Sequence, residues 1–158
     1  TPIKSADGLH KYRRITQITE VQKTWENDPL IEKGFIDLMK YDAVKDELVP
    51  TSDLINGESD VLKTIASKIP DYAGNWDAVW QDILTRAKYR EVLVKKAHEL
   101  KDDDMLEAPF VILCNDSYHM ISEKVKKKTG KLDHKRIYQE WEIWLESEIA
   151  RRKYKKEE

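Results

Sequence analysis

The sequence is poor in the residues that form cross-links and tight turns. Among 158 residues there is one cysteine, and glycine and proline occur five times each. A single cysteine excludes an intramolecular disulfide and a cysteine-rich zinc site, and it is typical of a reducing compartment. The scarcity of glycine and proline disfavours a sandwich or barrel with many turns, so we expect long helices to predominate.

Long apolar runs and an excess of one charge are also missing. No run approaches the roughly 20 apolar residues that cross a bilayer, and the N-terminus lacks the pattern of a signal peptide. The 28 basic and 30 acidic residues give a formal net charge of −2. This provides no overall field that would attract nucleic acid or anionic lipid. We therefore expect a cytoplasmic protein, with any membrane contact peripheral.

The chain nevertheless carries enough apolar side chains to fold. Hydrophobic residues make up 40% and charged residues 37% of it, a polar composition that is still too apolar for a wholly disordered chain. The length corresponds to one or two compact units.

Strand signals occupy residues 1–50. Residues 1–8 have no periodicity and predict an exposed lead-in. The stretch Leu9–Lys23 is rich in β-branched residues and predicts a strand, although its apolar spacing of three fits a helix equally well. The apolar cluster Gly34–Tyr41 predicts a second strand, and Val44–Val49 a short third piece. The first two strands would form a hairpin-like ribbon with a loop of about ten residues.

Residues 51–158 have the periodicity of helices. The first helix is predicted to follow Ser59, or Asn56 before it, and to end at Pro70. Its apolar positions recur at three and four: Val61, Leu62, Ile65, Ala66 and Ile69. We expect an α+β fold, mostly helical, with a short N-terminal antiparallel β ribbon followed by about four helices.

The remaining helices have longer patterns. The strongest amphipathic pattern follows a cap at Asn75 and persists to about Leu100. A third helix is predicted over Ala108–Lys128, with Gly130 ending it. The last is predicted to begin after Asp133 and to fade and fray in the tail RRKYKKEE.

No residue pattern predicts a catalytic or metal centre. Four scattered histidines lack a second histidine or cysteine at ligand spacing: His10, His98, His119 and His134. Cys114 and His119 are five residues apart, which is off the three or four that would place them on one helix face. The triplet Asp102–Asp104 lacks the alternation and glycine of a calcium loop, so we interpret it as a solvated turn.

Basic and aromatic clusters each allow two interpretations. The run KVKKKTGK, residues 124–131, is either a phosphate or nucleic-acid patch or a solvated helix end. The second is favoured because no aromatic or arginine residue is interleaved. Leu132 follows it where a phosphate loop has serine or threonine. The pairs Trp76 with Trp80 and Trp141 with Trp144 favour core positions over a surface for a partner.

A resemblance to a known family rests on four segments. GLHKYRRITQITEV resembles the segment after the nucleotide-binding core in the type II/IV secretion and archaellum assembly ATPase family. FIDLMKYDAVKDEL, SDVLKTIASKI and ILTRAKYREVLVKKAHEL are similar, in that order, to the archaeal branch. The resemblance covers roughly Gly8 to Leu100. It implies that residues 1–50 end a RecA-like motor core and that residues 51–158 form a helical C-terminal domain.

In that family the whole enzyme is a hexameric ring that powers secretion, pilus or archaellum assembly. The Walker A loop, acidic boxes and histidine box have no counterpart here, so the resemblance assigns this chain no catalytic, cofactor or metal residue. ATP and magnesium would belong to the parent ATPase. The implied partners are the rest of the ATPase, neighbouring subunits and a membrane-embedded platform protein, at the inner face of the membrane, and not nucleic acid. The paired Arg13 and Arg14 are the candidate inter-subunit contacts, and Gln17 stands where the family commonly has glutamate.

Two other functions remain open. One is a stand-alone helical protein–protein interaction module that uses the tryptophan-bearing helices. The other is a nucleic-acid binder that uses residues 124–131 and the tail at Arg151–Lys153. A small-molecule enzyme is the least supported class, because no nucleophile, base and oxyanion donor occur together.

Overall fold

The computed structural model describes residues 2–4, 9, 11–23 and 25–157. The chain forms two compact units, Thr1–Trp76 and Asp77–Glu158, which we call unit 1 and unit 2. The change from strand to helix patterns was placed after residue 50, whereas the division between units follows Trp76. Two short helices between these points belong with the strands in unit 1.

The predicted α+β, mostly helical class is confirmed. The strands are β1 Pro2–Lys4, β2 Lys11–Arg13, β3 Gln17–Val21, β4 Phe35–Asp42 and β5 Glu47–Pro50. The α-helices are α1 Ser52–Ile55, α2 Asp60–Ala66, α3 Trp76–Leu100, α4 Ala108–Thr129 and α5 His134–Glu157, with a 3₁₀ helix at Asp103–Leu106.

Two antiparallel sheets form the β part of unit 1. One pairs β1 with β2, and the other has the order β3-β4-β5, with a bulge between Ile18 and Thr19. The single strand predicted over Leu9–Lys23 is therefore divided between two sheets. Its apolar spacing of three does not suit one strand, which alternates every two residues. The lead-in prediction is wrong for Pro2–Lys4, which pair with β2, while residues 5–8 lie outside the described part of the chain.

Hydroxyl caps begin both short helices of unit 1. Ser59 accepts from the N–H of Leu62 at 3.1 Å, which confirms it as the cap of α2. Asn56 instead ends α1, a helix that the sequence analysis missed. Thr51 caps α1 and also donates to the carbonyl of Asp37 at 2.6 Å, so α1 is tied to β4.

Unit 2 packs three long helices around an aromatic centre. The ring of Tyr89 on α3 lies 5.0 Å from that of Tyr118 on α4 and 4.8 Å from that of Trp141 on α5. The indole N–H of Trp141 donates to the carbonyl of Cys114 at 3.2 Å. The buried cluster is Tyr89, Leu93, Ala97, Met105, Phe110, Cys114, Tyr118, Val125, Ile137, Trp141, Leu145 and Ile149. The core position predicted for Trp141 is confirmed.

The connections of unit 2 differ from prediction in two places. Asp103 and Asp104 are exposed, as expected of a solvated segment, but they belong to the 3₁₀ helix, whose Met105 is buried in the core. The last helix extends through Glu157 where we expected it to fade. The guanidinium of Arg152 lies 3.3 Å from the carboxylate of Asp102 and 4.5 Å from the ring centre of Phe110. These contacts extend ordered packing into the predicted tail. None of the described helices has the length and apolar character needed to cross a membrane.

Candidate docking surface

Unit 1 buries few apolar side chains. Among the described residues of unit 1, Leu54 and Ala66 are the only hydrophobic residues that are buried. Many others are exposed: Leu9, Ile15, Ile18, Val21, Trp25, Leu30, Ile31, Phe35, Val44, Ile55, Val61, Ile65 and Ile69. Unit 2, in contrast, has a contiguous core. Of the exposed residues of unit 1, Val21, Val61 and Ile65 line one groove, and exposed apolar residues grouped in this way are typical of an interaction surface.

Strand β3 is one edge of its sheet. The backbone N–H of Gln22, just past the strand, donates to the carbonyl of Gly34 at 2.8 Å. Since backbone groups alternate in direction along a strand, those of Thr19 and Val21 point away from β4. The side chain of Val21 is also exposed. An edge of this kind can pair with another strand.

Polar side chains fix β3 against β4. Asp37 accepts from the ammonium of Lys40 at 2.8 Å, from the hydroxyl of Thr19 at 2.7 Å and from the amide of Gln17. These hydrogen bonds lower the pKa of Asp37 to about 2, and the bond from Lys40 contributes most. The cluster holds the register in which Thr19 lies opposite Asp37.

Arg14 is engaged inside unit 1. Its Nε and Nη2 lie 2.7 and 2.6 Å from the two carboxylate oxygens of Asp46, and Tyr41 donates to the same carboxylate at 2.6 Å. Its guanidinium stacks 4.5 Å from the ring centre of Tyr12. The hydrogen bonds raise the pKa of Arg14 and lower that of Asp46. Arg14 therefore braces the segment before β3 against the β4–β5 turn.

Arg13 differs from its neighbour. Its side chain is exposed, and its carbonyl accepts from Nη1 of Arg14 at 3.2 Å. Of the two candidate contact residues, Arg13 thus presents its side chain to solvent while Arg14 holds the backbone beside it.

A groove of about 370 Å³ lies between β3 and α2. Its lining is Glu20, Val21, Gln22, Lys23, Asp60, Val61, Thr64 and Ile65, and we call it the β3–α2 groove. Of the apolar repeat of α2, only Ala66 is buried, and Val61 and Ile65 are exposed on the groove. The buried face of unit 1 is too small to cover the whole repeat.

Glu20 positions this groove, and the sequence analysis missed it. Its carboxylate accepts from the hydroxyl of Ser59 and from the backbone N–H groups of Asp60 and Val61, at 3.0 and 3.1 Å. Gln22 donates to it as well, at 2.8 Å. The partners at the start of α2 are about 40 residues away along the chain, so no local pattern indicates the contact.

The described residues that were considered for catalysis or metal binding belong to unit 2. Cys114 is buried in unit 2, and burial raises the pKa of its thiol to about 12, so it is a poor nucleophile. No group of three potential metal ligands occurs in the described residues, and His10 lies outside them. Desolvation lowers the pKa of His134, which favours its neutral form.

The basic segments are largely used within unit 2. Lys126–Lys128 form the last turn of α4, which Gly130 ends in the left-handed conformation. The ammonium of Lys124 lies 3.3 Å from the carboxylate of Glu140. In the tail, Arg151 pairs with Glu148 at 2.6 Å. These positions fit the interpretation of residues 124–131 as a solvated helix end, which requires no ligand.

Comparison with known proteins identified no relative of this chain. No family model matches the chain, and no curated protein or solved structure is significantly similar to it. Arg13 and the lining of the β3–α2 groove, all exposed or partly exposed residues of unit 1 apart from the buried Glu20 and Gln22, are the candidate functional residues.

Proposed function

We propose that this chain is the C-terminal, non-catalytic part of a type II/IV secretion or archaellum/pilus assembly ATPase. Unit 1 would dock on the rest of the motor, and unit 2 would be the helical appendage. The observation that carries the proposal is the small core of unit 1, which exposes apolar residues on the strands that bear the resemblance. A small unit with so little buried apolar area gains stability by covering that surface with a partner.

The character of β3 supports the same proposal. Sheet edges exposed to water are commonly protected by lysine, proline or a covering element. Strand β3 has the sequence QITEV, and its one charged residue, Glu20, is buried. Because β3 carries neither lysine nor proline, its outward backbone groups beyond the bulge at Ile18 and Thr19 are open to a partner strand.

The proposed setting follows from the family resemblance. The parent would be a cytoplasmic hexamer at the inner face of the membrane, which binds ATP and magnesium through residues outside this chain. Its other partners would be neighbouring subunits and a membrane-embedded platform protein. Arg13 would contact a neighbouring subunit, and Arg14 would keep the backbone of Arg13 in place.

Sedimentation velocity with a separately produced ATPase core from the same genome neighbourhood tests the proposal. We expect the two proteins to co-sediment at tens of micromolar. Arg13→Ala should weaken the complex while leaving the fold intact, whereas Arg90→Ala, at an exposed arginine of unit 2, should not weaken it. Absence of association at this concentration would contradict the proposal.

A stand-alone interaction module is the second candidate. Ile112 and Met120 on α4 are 59% and 64% exposed, and Ile143 on α5 is 68% exposed. Apolar residues at these positions on unit 2 would suit a partner helix. Self-association at micromolar concentration, lost in an Ile112→Asp variant and unaffected by nucleotide, would favour this candidate over the ATPase.

A further inference from the structure

The side of β3 that faces away from β4 favours a partner with an extended backbone. The N–H and C=O groups of Thr19 and Val21 point away from β4, and the described residues place no strand on that side. Their spacing of two residues, about 7 Å along a strand, matches the hydrogen-bonding repeat of a second strand. A helix presents no backbone groups that could meet this edge, because its own are already paired.

The helix side of the β3–α2 groove selects apolar side chains. Val61 and Ile65 are four residues apart and therefore share one face of α2. They are 53% and 54% exposed. A strand lying here would direct every second side chain toward these residues. The groove thus suits a segment that is apolar at alternate positions.

The acidic side chains of the groove are engaged by other groups of the protein. The carboxylate of Glu20 is saturated by Ser59 and the first turn of α2. Asp60 pairs with Lys63 at 3.3 Å. Lys23 is exposed, and no carboxylate among the described residues pairs with it. Lys23 therefore presents an exposed positive charge at one end of the groove.

We propose that the β3–α2 groove binds an extended segment of a partner protein, apolar at alternate positions and acidic at the end beside Lys23. The segment adds a fourth strand to the sheet at β3. This inference deepens the docking role proposed above and rests on it for the partner, which is the ATPase core. Glu20 already occupies the N–H groups of α2, so the groove recognises the segment's backbone and apolar side chains.

Two variants distinguish the contribution of backbone hydrogen bonds to binding from that of apolar side-chain contacts. Val21→Pro removes an outward N–H that β4 does not use, a position where a sheet edge tolerates proline. Ile65→Asp places a charge on the apolar wall at a half-exposed site, so the fold should persist. Each should weaken binding roughly tenfold or more, as loss of a central contact does. Val94→Asp, at an exposed position of unit 2, is the matched control and should leave binding unchanged.

Binding is measured by sedimentation with the ATPase core and by fluorescence anisotropy with a labelled peptide. The peptide alternates valine and threonine and ends in glutamate at both termini. A version with proline in place of its central valine should not bind. Lys23→Glu should weaken binding of the glutamate peptide, and a peptide with lysine ends should restore it.

The outcomes distinguish this inference from the proposed function. If the core binds and both variants bind it as tightly as the unmodified chain, the groove proposal is overturned and the ATPase proposal stands. If the core does not bind but the peptide does, with loss in both variants, the groove proposal stands and the ATPase proposal fails. Binding of neither probe overturns both.

Discussion

The carboxylate of Glu20 accepts a hydrogen bond from the hydroxyl of Ser59, 39 residues further along the chain. Both residues are buried, and Ser59 in turn caps α2 by accepting from the N–H of Leu62. Glu20 also accepts from the next two backbone N–H groups of the helix. One side chain of β3 therefore fixes where α2 begins and how far it lies from the strand, which determines the shape of the groove.

Replacement of Glu20 by alanine should destabilise the α2 end of unit 1 by about 2 kcal/mol, because it leaves buried donors unsatisfied. Hydrogen exchange followed by NMR should show faster exchange of the Asp60 and Val61 amides. Glu58→Ala, which removes an exposed carboxylate one residue before Ser59, is the control. Unchanged protection of the two amides in Glu20→Ala would show that the contact is not stabilising.

Substitutions at two glycines of unit 1 allow the cost of backbone strain to be measured separately from the cost of a steric clash. Gly57 and Gly74 have φ angles of 80° and 70°, a region that favours glycine. A Cβ at Gly57 would lie 2.7 Å from the indole of Trp76, whereas one at Gly74 would meet nothing within 4 Å. Gly74→Ala should therefore cost about 1 kcal/mol, and Gly57→Ala about 1–3 kcal/mol more, since it also overpacks the site.

Hydrogen exchange of the unit 1 amides measures both costs. The indole N–H of Trp76 donates to the carbonyl of Ile55 at 2.8 Å, so the ring cannot move away without losing that bond. Equal costs for the two glycine variants would mean that the ring relaxes freely.

Acid should weaken the β4 contacts of unit 1. The fold lowers the pKa of Asp37 to about 2 through bonds from Lys40, Thr19 and Gln17, and that of Asp46 through Arg14. Carboxylates with lowered pKa stabilise the fold above their unfolded pKa of about 3.9, and this contribution is lost as the pH falls through the folded values. NMR titration of carboxyl carbons from pH 5 to pH 1.5 measures these shifts.

A double Asp37→Asn, Asp46→Asn variant should lose less stability between pH 4 and pH 2 than the unmodified protein, because its amides do not titrate. Asp77→Asn controls for the loss of a negative charge elsewhere. A steeper acid loss in the double variant would contradict the assigned direction.

The core of unit 2 should depend strongly on Trp141. Trp141→Ala should cost about 3–5 kcal/mol, as large cavities in cores do. Trp141→Phe keeps an aromatic ring beside Tyr89 but leaves the carbonyl of Cys114 without its indole donor, so its cost should be intermediate. Ile143→Ala, at an exposed site of the same helix, should be nearly neutral. Urea unfolding followed by circular dichroism at 222 nm ranks the three variants.

Local signals predicted the helices well because their causes are local. Ser59 as a cap, the helix from Trp76 to Leu100 and the end of α4 at Gly130 all follow from side chains within a few residues of the boundary. The strand prediction over Leu9–Lys23 was less accurate. Its β-branched composition indicated extended backbone, but pairing partners divide it between two sheets.

The candidate site was only partly foreseen. Arg13 and Arg14 were named together, yet the structure separates them, because Arg14 binds Asp46, which lies 32 residues away. Val61 and Ile65 were recognised as part of an apolar repeat, but periodicity does not state what covers a helix face. The groove they form depends on Glu20. Its partners in α2 are about 40 residues away, so no local sequence pattern shows the contact.

By itself the sequence determined that the chain is mostly helical, where its three long helices begin, and where α3 and α4 end. Propensity, capping and apolar spacing act over one or two helical turns, so they are legible in the chain itself. Tertiary structure alone decided which apolar residues are buried in unit 2 and which are left exposed in unit 1. It also decided that Glu20 joins β3 to α2, because contacts between distant residues depend on how whole elements pack.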